Sequence, residues 1–154
     1  METISQSLSN TVRKIKLKEI MHSPPIILNV NDEFAMVEKT LRENKIKHLP
    51  VVNDANKLVG IITLSDLYRT CAPRKNLEDG SFFYTEEQLN SYILSVVMTK
   101  DPICMKENDS LYDAMKSMVR GGYGCIPITD DHKHMRGVIT QTDIVKIMTS
   151  LLGE

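Results

Sequence analysis

Two aspartates, Asp66 and Asp143, each follow a threonine by three residues in stretches of nearly the same composition. The first is Gly60-Ile61-Ile62-Thr63-Leu64-Ser65-Asp66; the second, 77 residues later, is Gly137-Val138-Ile139-Thr140-Gln141-Thr142-Asp143. Thr-x-x-Asp ahead of an apolar helical run supports two chemistries. It can close a helix N-terminus, the hydroxyl accepting from the third helical N–H while the carboxylate reaches back. It can also set hydroxyls and a carboxylate beside a helix N-terminus, whose free N–H groups and partial positive charge suit an anion such as phosphate. These residues alone leave both readings open.

Other chemistry-bearing residues give weaker signals. His132 and His134 fall in an expected hairpin turn with no further metal ligands nearby, so they read as a solvated turn. His48 reads as a packed histidine. Cys71, Cys104 and Cys125 are odd in number and widely spaced, which suits reduced thiols better than a disulfide framework or a zinc site. Cys104 and Cys125 lie on apolar segments and read as core thiols. Gly121 or Gly122 suits a helix C-cap; alternatively these glycines let a nucleotide approach the backbone, with Tyr123 over the base. Lys45, Lys47, Arg69, Arg74, Lys75 and Arg120 could meet phosphate or simply be solvated. No nucleophile–base pair, P-loop, paired catalytic carboxylates or metal-ligand cluster is visible, so the chain does not read as an enzyme.

The totals exclude further classes. A net charge of −1 leaves no footprint for nucleic acid or an anionic membrane surface. The absence of Trp removes the best stacking platform for single strands. No apolar run approaches the roughly 20 residues of a membrane span, and Met1 to Asn10 lacks a signal-peptide core. The expectation is a cytoplasmic protein with neither a nucleic-acid partner nor a membrane span.

The elements that must position the aspartates follow from periodicity. Residues 1–16 read as a tail or arm. Lys18 to Met21 form a helical turn stopped by Pro24-Pro25, and Ile26-Ile27-Leu28 is extended. Asn31 or Asp32 caps a helix to Asn44, with Phe34, Val37 and Leu41 on one face. Leu49 to Val52 is a strand whose Pro50 implies an edge or a start. Leu58 to Ile62 returns, and a helix runs from Thr63 to about Thr70. Residues 71–92 are linker-like and long for a connector; Thr85 opens a helix expected to carry through Leu94. The second half then repeats the first in one register: Leu17 with Leu94, Met21 with Met98, Pro25 with Pro102, Pro50 with Pro127, Gly60 with Gly137. This is a tandem duplication, with repeats at 17–70 and 93–150. A unit of about 50 residues seldom buries enough apolar surface alone, so the halves are expected to pack together, leaving a cleft along their seam.

This order of elements, with Leu49-Pro50-Val51-Val52 and Ile126-Pro127-Ile128 each followed by the Gly-to-Asp stretch, resembles a pair of CBS domains, the module named after cystathionine beta-synthase. The resemblance covers about residues 17–149. It implies an α+β fold of two β-α-β-β-α repeats around a pseudo-two-fold axis, two small sheets covered by helices, and assembly as a homodimer. It also implies clefts that bind adenosine-containing ligands: AMP, ADP, ATP or S-adenosylmethionine, with Mg²⁺ only where it accompanies phosphates. On this resemblance Asp66 and Asp143 read ribose, and Thr63, Ser65, Thr140 and Thr142 are phosphate-side hydroxyls. Ile26, Ile27, Leu28, Lys47 and His48 frame one adenine; Ile103, Cys104, Met105, Gly124 and Cys125 frame the other. The expected function is a stand-alone regulatory module that signals through changed packing or a partner. The alternative is a ligand-free scaffold that dimerises or docks on a separately encoded enzyme or transporter.

Overall fold

The computed structural model describes residues 3–153. Its chain opens on helix α1 (Ile4–Lys14) and a 3-10 turn (Leu17–Glu19). The fold then divides into two compact units, one made of Ile26–Pro102, the other of the chain up to Pro25 together with the chain from Ile103 onward.

In the unit Ile26–Pro102 the elements are β1 (Leu28–Asn29), α2 (Ala35–Asn44), β2 (His48–Val52), β3 (Leu58–Thr63) and α3 (Leu64–Thr70). The hairpin β4 (Arg74–Lys75) and β5 (Phe82–Phe83), the short helices α4 (Glu86–Leu89) and α5 (Leu94–Val97), and β6 (Thr99–Lys100) follow. The sheet order is β1-β2-β3-β6, with β1 parallel to β2 and the other pairs antiparallel. Phe34, Val37 and Leu41 bury against Leu49 and Val51 of β2, Ile62 of β3 and Leu67 of α3, as their spacing predicts.

Three expectations are corrected here. Pro50 lies in a middle strand rather than at an edge; it is tolerated because β1 begins pairing only at Val51, one residue later. Neither Asn31 nor Asp32 caps α2. Asp32 Oδ2 instead accepts from the Asn29 N–H (2.8 Å), and the Ala35 N–H at the start of α2 donates to Asn90 Oδ1 (3.1 Å). Thr85 does open a helix, its Oγ1 accepting from the Gln88 N–H (3.1 Å), but that helix stops at Leu89. Leu89 and Leu94 are both buried, and a spacing of five residues places them on different faces of a continuous helix, so the chain breaks and restarts to bury both.

In the other unit β7 (Met105–Lys106) runs parallel to β8 (Cys125–Thr129), which pairs antiparallel with β9 (Met135–Thr140); α6 (Leu111–Gly121) and α7 (Gln141–Leu151) complete it. Ser110 Oγ caps α6 by accepting from the Asp113 N–H (3.1 Å). Leu8 and Val12, four apart on α1, pack into the core of Leu17, Leu111, Ile126 and Ile139. Backbone bonds fix the early segment in place: the Leu17 N–H donates to the Asp109 carbonyl (2.9 Å), and His22 and Val138 exchange bonds of 2.9 and 3.1 Å.

The glycine that opens each repeated stretch permits such a crossing. A Cβ on Gly137 would stand 2.6 Å from Met21 Sδ and 2.7 Å from the His22 carbonyl oxygen, and one on Gly60 would stand 2.9 Å from Met98 Cε. Met21 and Met98 are repeat equivalents. Segment 17–25, in register with the first repeat, thus packs in the unit that holds the second repeat's strands, and segment 94–100 packs in the unit that holds the first's.

Candidate functional site

The helix that follows each hairpin is fixed to its sheet by one backbone bond. The Leu64 N–H donates to the Lys47 carbonyl (2.9 Å), and the Gln141 N–H to the Gly124 carbonyl (3.0 Å). His48 pairs with Thr63, and Cys125 with Thr140. The first set of predicted residues therefore converges at one sheet end: Lys47, His48 and Thr63, with Ser65 exposed on the first turn of α3. Leu28 pairs with Val51 in parallel, so Ile26 and Ile27 lead in from that same end. The second set repeats this, with Met105 opposite Ile128, Ile103 and Cys104 leading in, and Thr142 exposed on the first turn of α7. Each set lies wholly within one compact unit.

At the centre of each set the Thr-x-x-Asp pattern forms the helix cap that its spacing allows. Asp66 Oδ2 accepts from the Thr63 N–H (2.8 Å) and hydroxyl (2.9 Å), while Thr63 Oγ1 accepts from the Asp66 N–H (3.1 Å). Asp143 Oδ2 accepts from the Thr140 N–H (2.8 Å) and hydroxyl (2.7 Å) in the same way. One carboxylate oxygen is thus consumed by the cap. The other oxygen faces a basic group in each case: Arg69 Nη2 donates to Asp66 Oδ1, and His22 Nε2 lies 2.7 Å from Asp143 Oδ1. The two carboxylates are 14% and 12% exposed, whereas Arg69 and His22 are 74% and 65% exposed. The cap holds one oxygen, and the second is covered by a side chain that is itself largely in water.

The electrostatics favour an ionised Asp143 and a neutral His48. Burial pushes the Asp143 carboxyl up, but bonds from His22 and Thr140 outweigh it and hold the group below the usual carboxylate range. Burial, then the Lys47 charge, lower the His48 pKa, which keeps that ring neutral at pH 7. Burial first, then the Asp143 charge, push the Cys125 thiol up to about 12, consistent with a core thiol. Cys104 Sγ lies 3.5 Å from Thr129 Oγ1.

His132 and His134 sit in the β8–β9 turn around Asp130, whose Oδ1 accepts from both of their backbone N–H groups (2.8 and 2.9 Å). Gly122 is the left-handed C-cap of α6 (φ 68°). Tyr123, Ile103 and Arg120 share a shallow pocket of about 400 Å³. Sequence reasoning did not single out His22: it lies 121 residues from Asp143, and no local pattern couples the two. Among the described residues no helix is long and apolar enough to cross a membrane.

A sequence model of the CBS domain family matches residues 17–72 and 94–150. The chain is 28% identical over 170 residues to the uncharacterized protein MJ1426 of Methanocaldococcus jannaschii, covering 96% of this chain and 99% of that protein. It is 27% identical over 144 residues to the homoserine O-acetyltransferase of Methanobrevibacter ruminantium, where it spans 93% of this chain but only 26% of the relative's length. Among solved structures, the CBS domain pair of protein MJ0100, in complex with 5′-methylthioadenosine and S-adenosyl-L-methionine, superposes with a TM-score of 0.72 at 25% identity, covering 88% of this chain and 97% of that one.

Proposed function

The chain belongs to the CBS domain family, and from that premise we propose that it is a regulatory module that binds adenosine-containing ligands at Asp66 and Asp143. The observation that carries this reading is the division of labour in each carboxylate. Oδ2 is locked by the threonine, and Oδ1 is covered by an exposed basic side chain, Arg69 or His22. A ribose diol offers two adjacent hydroxyls to such an ionised oxygen, with charge-assisted bonds about twice as strong as neutral ones. Backbone groups around Ile26–Leu28 with Lys47–His48, and around Ile103–Met105 with Gly124–Cys125, meet adenine without requiring particular side chains. Thr63, Ser65, Thr140 and Thr142 lie on the phosphate side. Both ligands of the MJ0100 pair contain adenosine, which supports this ligand class; AMP, ADP and ATP are its nucleotide members. Ligand shifts the module between states that bind it differently, and a homodimer or a separately encoded enzyme or transporter reads the change.

Calorimetric titration with AMP, ADP, ATP, S-adenosylmethionine and GTP tests the reading. Saturable binding confined to the adenosine ligands, weakened in Asp66→Asn or Asp143→Asn, is the expected result. No binding by any of them overturns it. A second reading, a ligand-free interaction scaffold, is favoured by one observation: Arg69 and His22 already satisfy both carboxylates without ligand.

A further inference from the structure

The segment between the two repeats builds something the second repeat lacks. After α3 ends at Thr70 the chain folds back as the β4–β5 hairpin, whereas α7 continues to Leu151. The hairpin roofs a cavity of about 610 Å³ with Pro73, Phe82 and Phe83, over a floor of Leu41 and Leu67 from α2 and α3. That volume is within the usual range for small-ligand sites. The roof is tied down at its base: the Tyr84 hydroxyl donates to the Cys71 carbonyl (3.0 Å), and Gln88 Nε2 to the Ala72 carbonyl (2.6 Å). Phe82 remains 67% exposed at the tip.

The rim is charged on one side. Glu38 and Arg42 neutralise each other at 2.8 Å. Lys45 and Lys47 also line the cavity, and neither forms an ion pair among the described residues. Lys45 occupies the left-handed C-cap of α2 (φ 53°), a position that its repeat equivalent fills with Gly122. A lysine there carries a backbone cost that glycine avoids, and Lys45 lines the cavity.

We propose that this cavity is a second binding site, for an amphipathic organic anion whose apolar body lies under Phe82 and Phe83 and whose carboxylate meets Lys45 and Lys47. A purely apolar ligand leaves both ammonium groups unmatched. A nucleotide places polar edges against the apolar floor. The cavity's lining does not include Asp66 and shares only Lys47 with the residues assigned to adenine.

Calorimetric titration of the full chain with dodecanoate, dodecanol and dodecyltrimethylammonium, all below their micellar concentrations, tests the proposal. Dodecanoate is expected to bind one per chain, about tenfold tighter than dodecanol, with the cation weakest. Lys45→Gly keeps a helix C-cap that glycine favours, so the fold survives; it is expected to weaken dodecanoate several-fold and leave dodecanol unchanged. Phe83→Ala is expected to weaken both alike. Absent saturable binding, equal binding of anion and cation, or insensitivity to both variants each overturns the proposal. So does sedimentation showing a dimer that Phe83→Ala disperses and dodecanoate does not affect, because a second copy then covers the cavity.

Discussion

Asp143 performs two tasks with two oxygens, and the tasks separate experimentally. Its carboxyl is held below the ordinary range chiefly by the His22 and Thr140 bonds acting against burial. A depressed folded pKa means stability that is present above the unfolded value of about 3.9 and is lost as pH falls through the folded value. The stability gap between the parent and Asp143→Asn is therefore expected to narrow as pH falls below about 4, which urea midpoints taken from pH 3 upward will show. His22→Ala leaves the Thr140 cap intact and uncovers Oδ1. As an exposed partner, His22 contributes under about 1 kcal/mol, so the variant should stay folded and bind AMP more tightly in calorimetry; weaker binding would instead make His22 a ligand contact. Thiol chemistry gives a further check. Iodoacetamide at pH 8 should modify the half-buried Cys104 well before Cys125, whose buried thiol is pushed up to about 12; modification of Cys125 first would contradict its environment.

At the scale of elements, the strained and crowded positions carry the predictions. Gly122→Ala forces a Cβ into a left-handed cap and should cost about 1 kcal/mol. Gly137→Ala should cost more than Gly60→Ala. The new methyl at 137 meets a backbone oxygen, that of His22, while the nearest atoms it meets at 60 all belong to the flexible Met98 side chain. Thermal midpoints in the order parent, Gly60→Ala, Gly137→Ala confirm this, and the reverse order refutes the crossing of the early segment over β9. Asn90 caps α2 from 55 residues away, so Asn90→Ala should remove about 1 kcal/mol although it lies outside that helix.

For the whole molecule, the chain's path decides which segments share a cooperative unit. Native-state hydrogen exchange should place the Leu17 and His22 amides in the protection class of Leu111 and Ile139 rather than that of Leu49 and Ile62, because their acceptors, Asp109 and Val138, lie beyond Pro102. The sequence by itself determined what three- and four-residue spacings encode: the Thr63–Asp66 and Thr140–Asp143 caps, the buried face of Phe34, Val37 and Leu41, the two hairpins, and their duplication in one register. Those features rest on hydrogen bonds and side-chain periodicities closed within a turn or two, so local composition suffices to read them. Only the tertiary structure decided that His22 covers Asp143, that Asn90 caps α2, that the helix from Thr85 breaks at Leu89, and that Pro73, Phe82 and Phe83 line a cavity. Each of these depends on groups brought together from distant parts of the chain, and the geometry that joins them exists only once the intervening residues have packed.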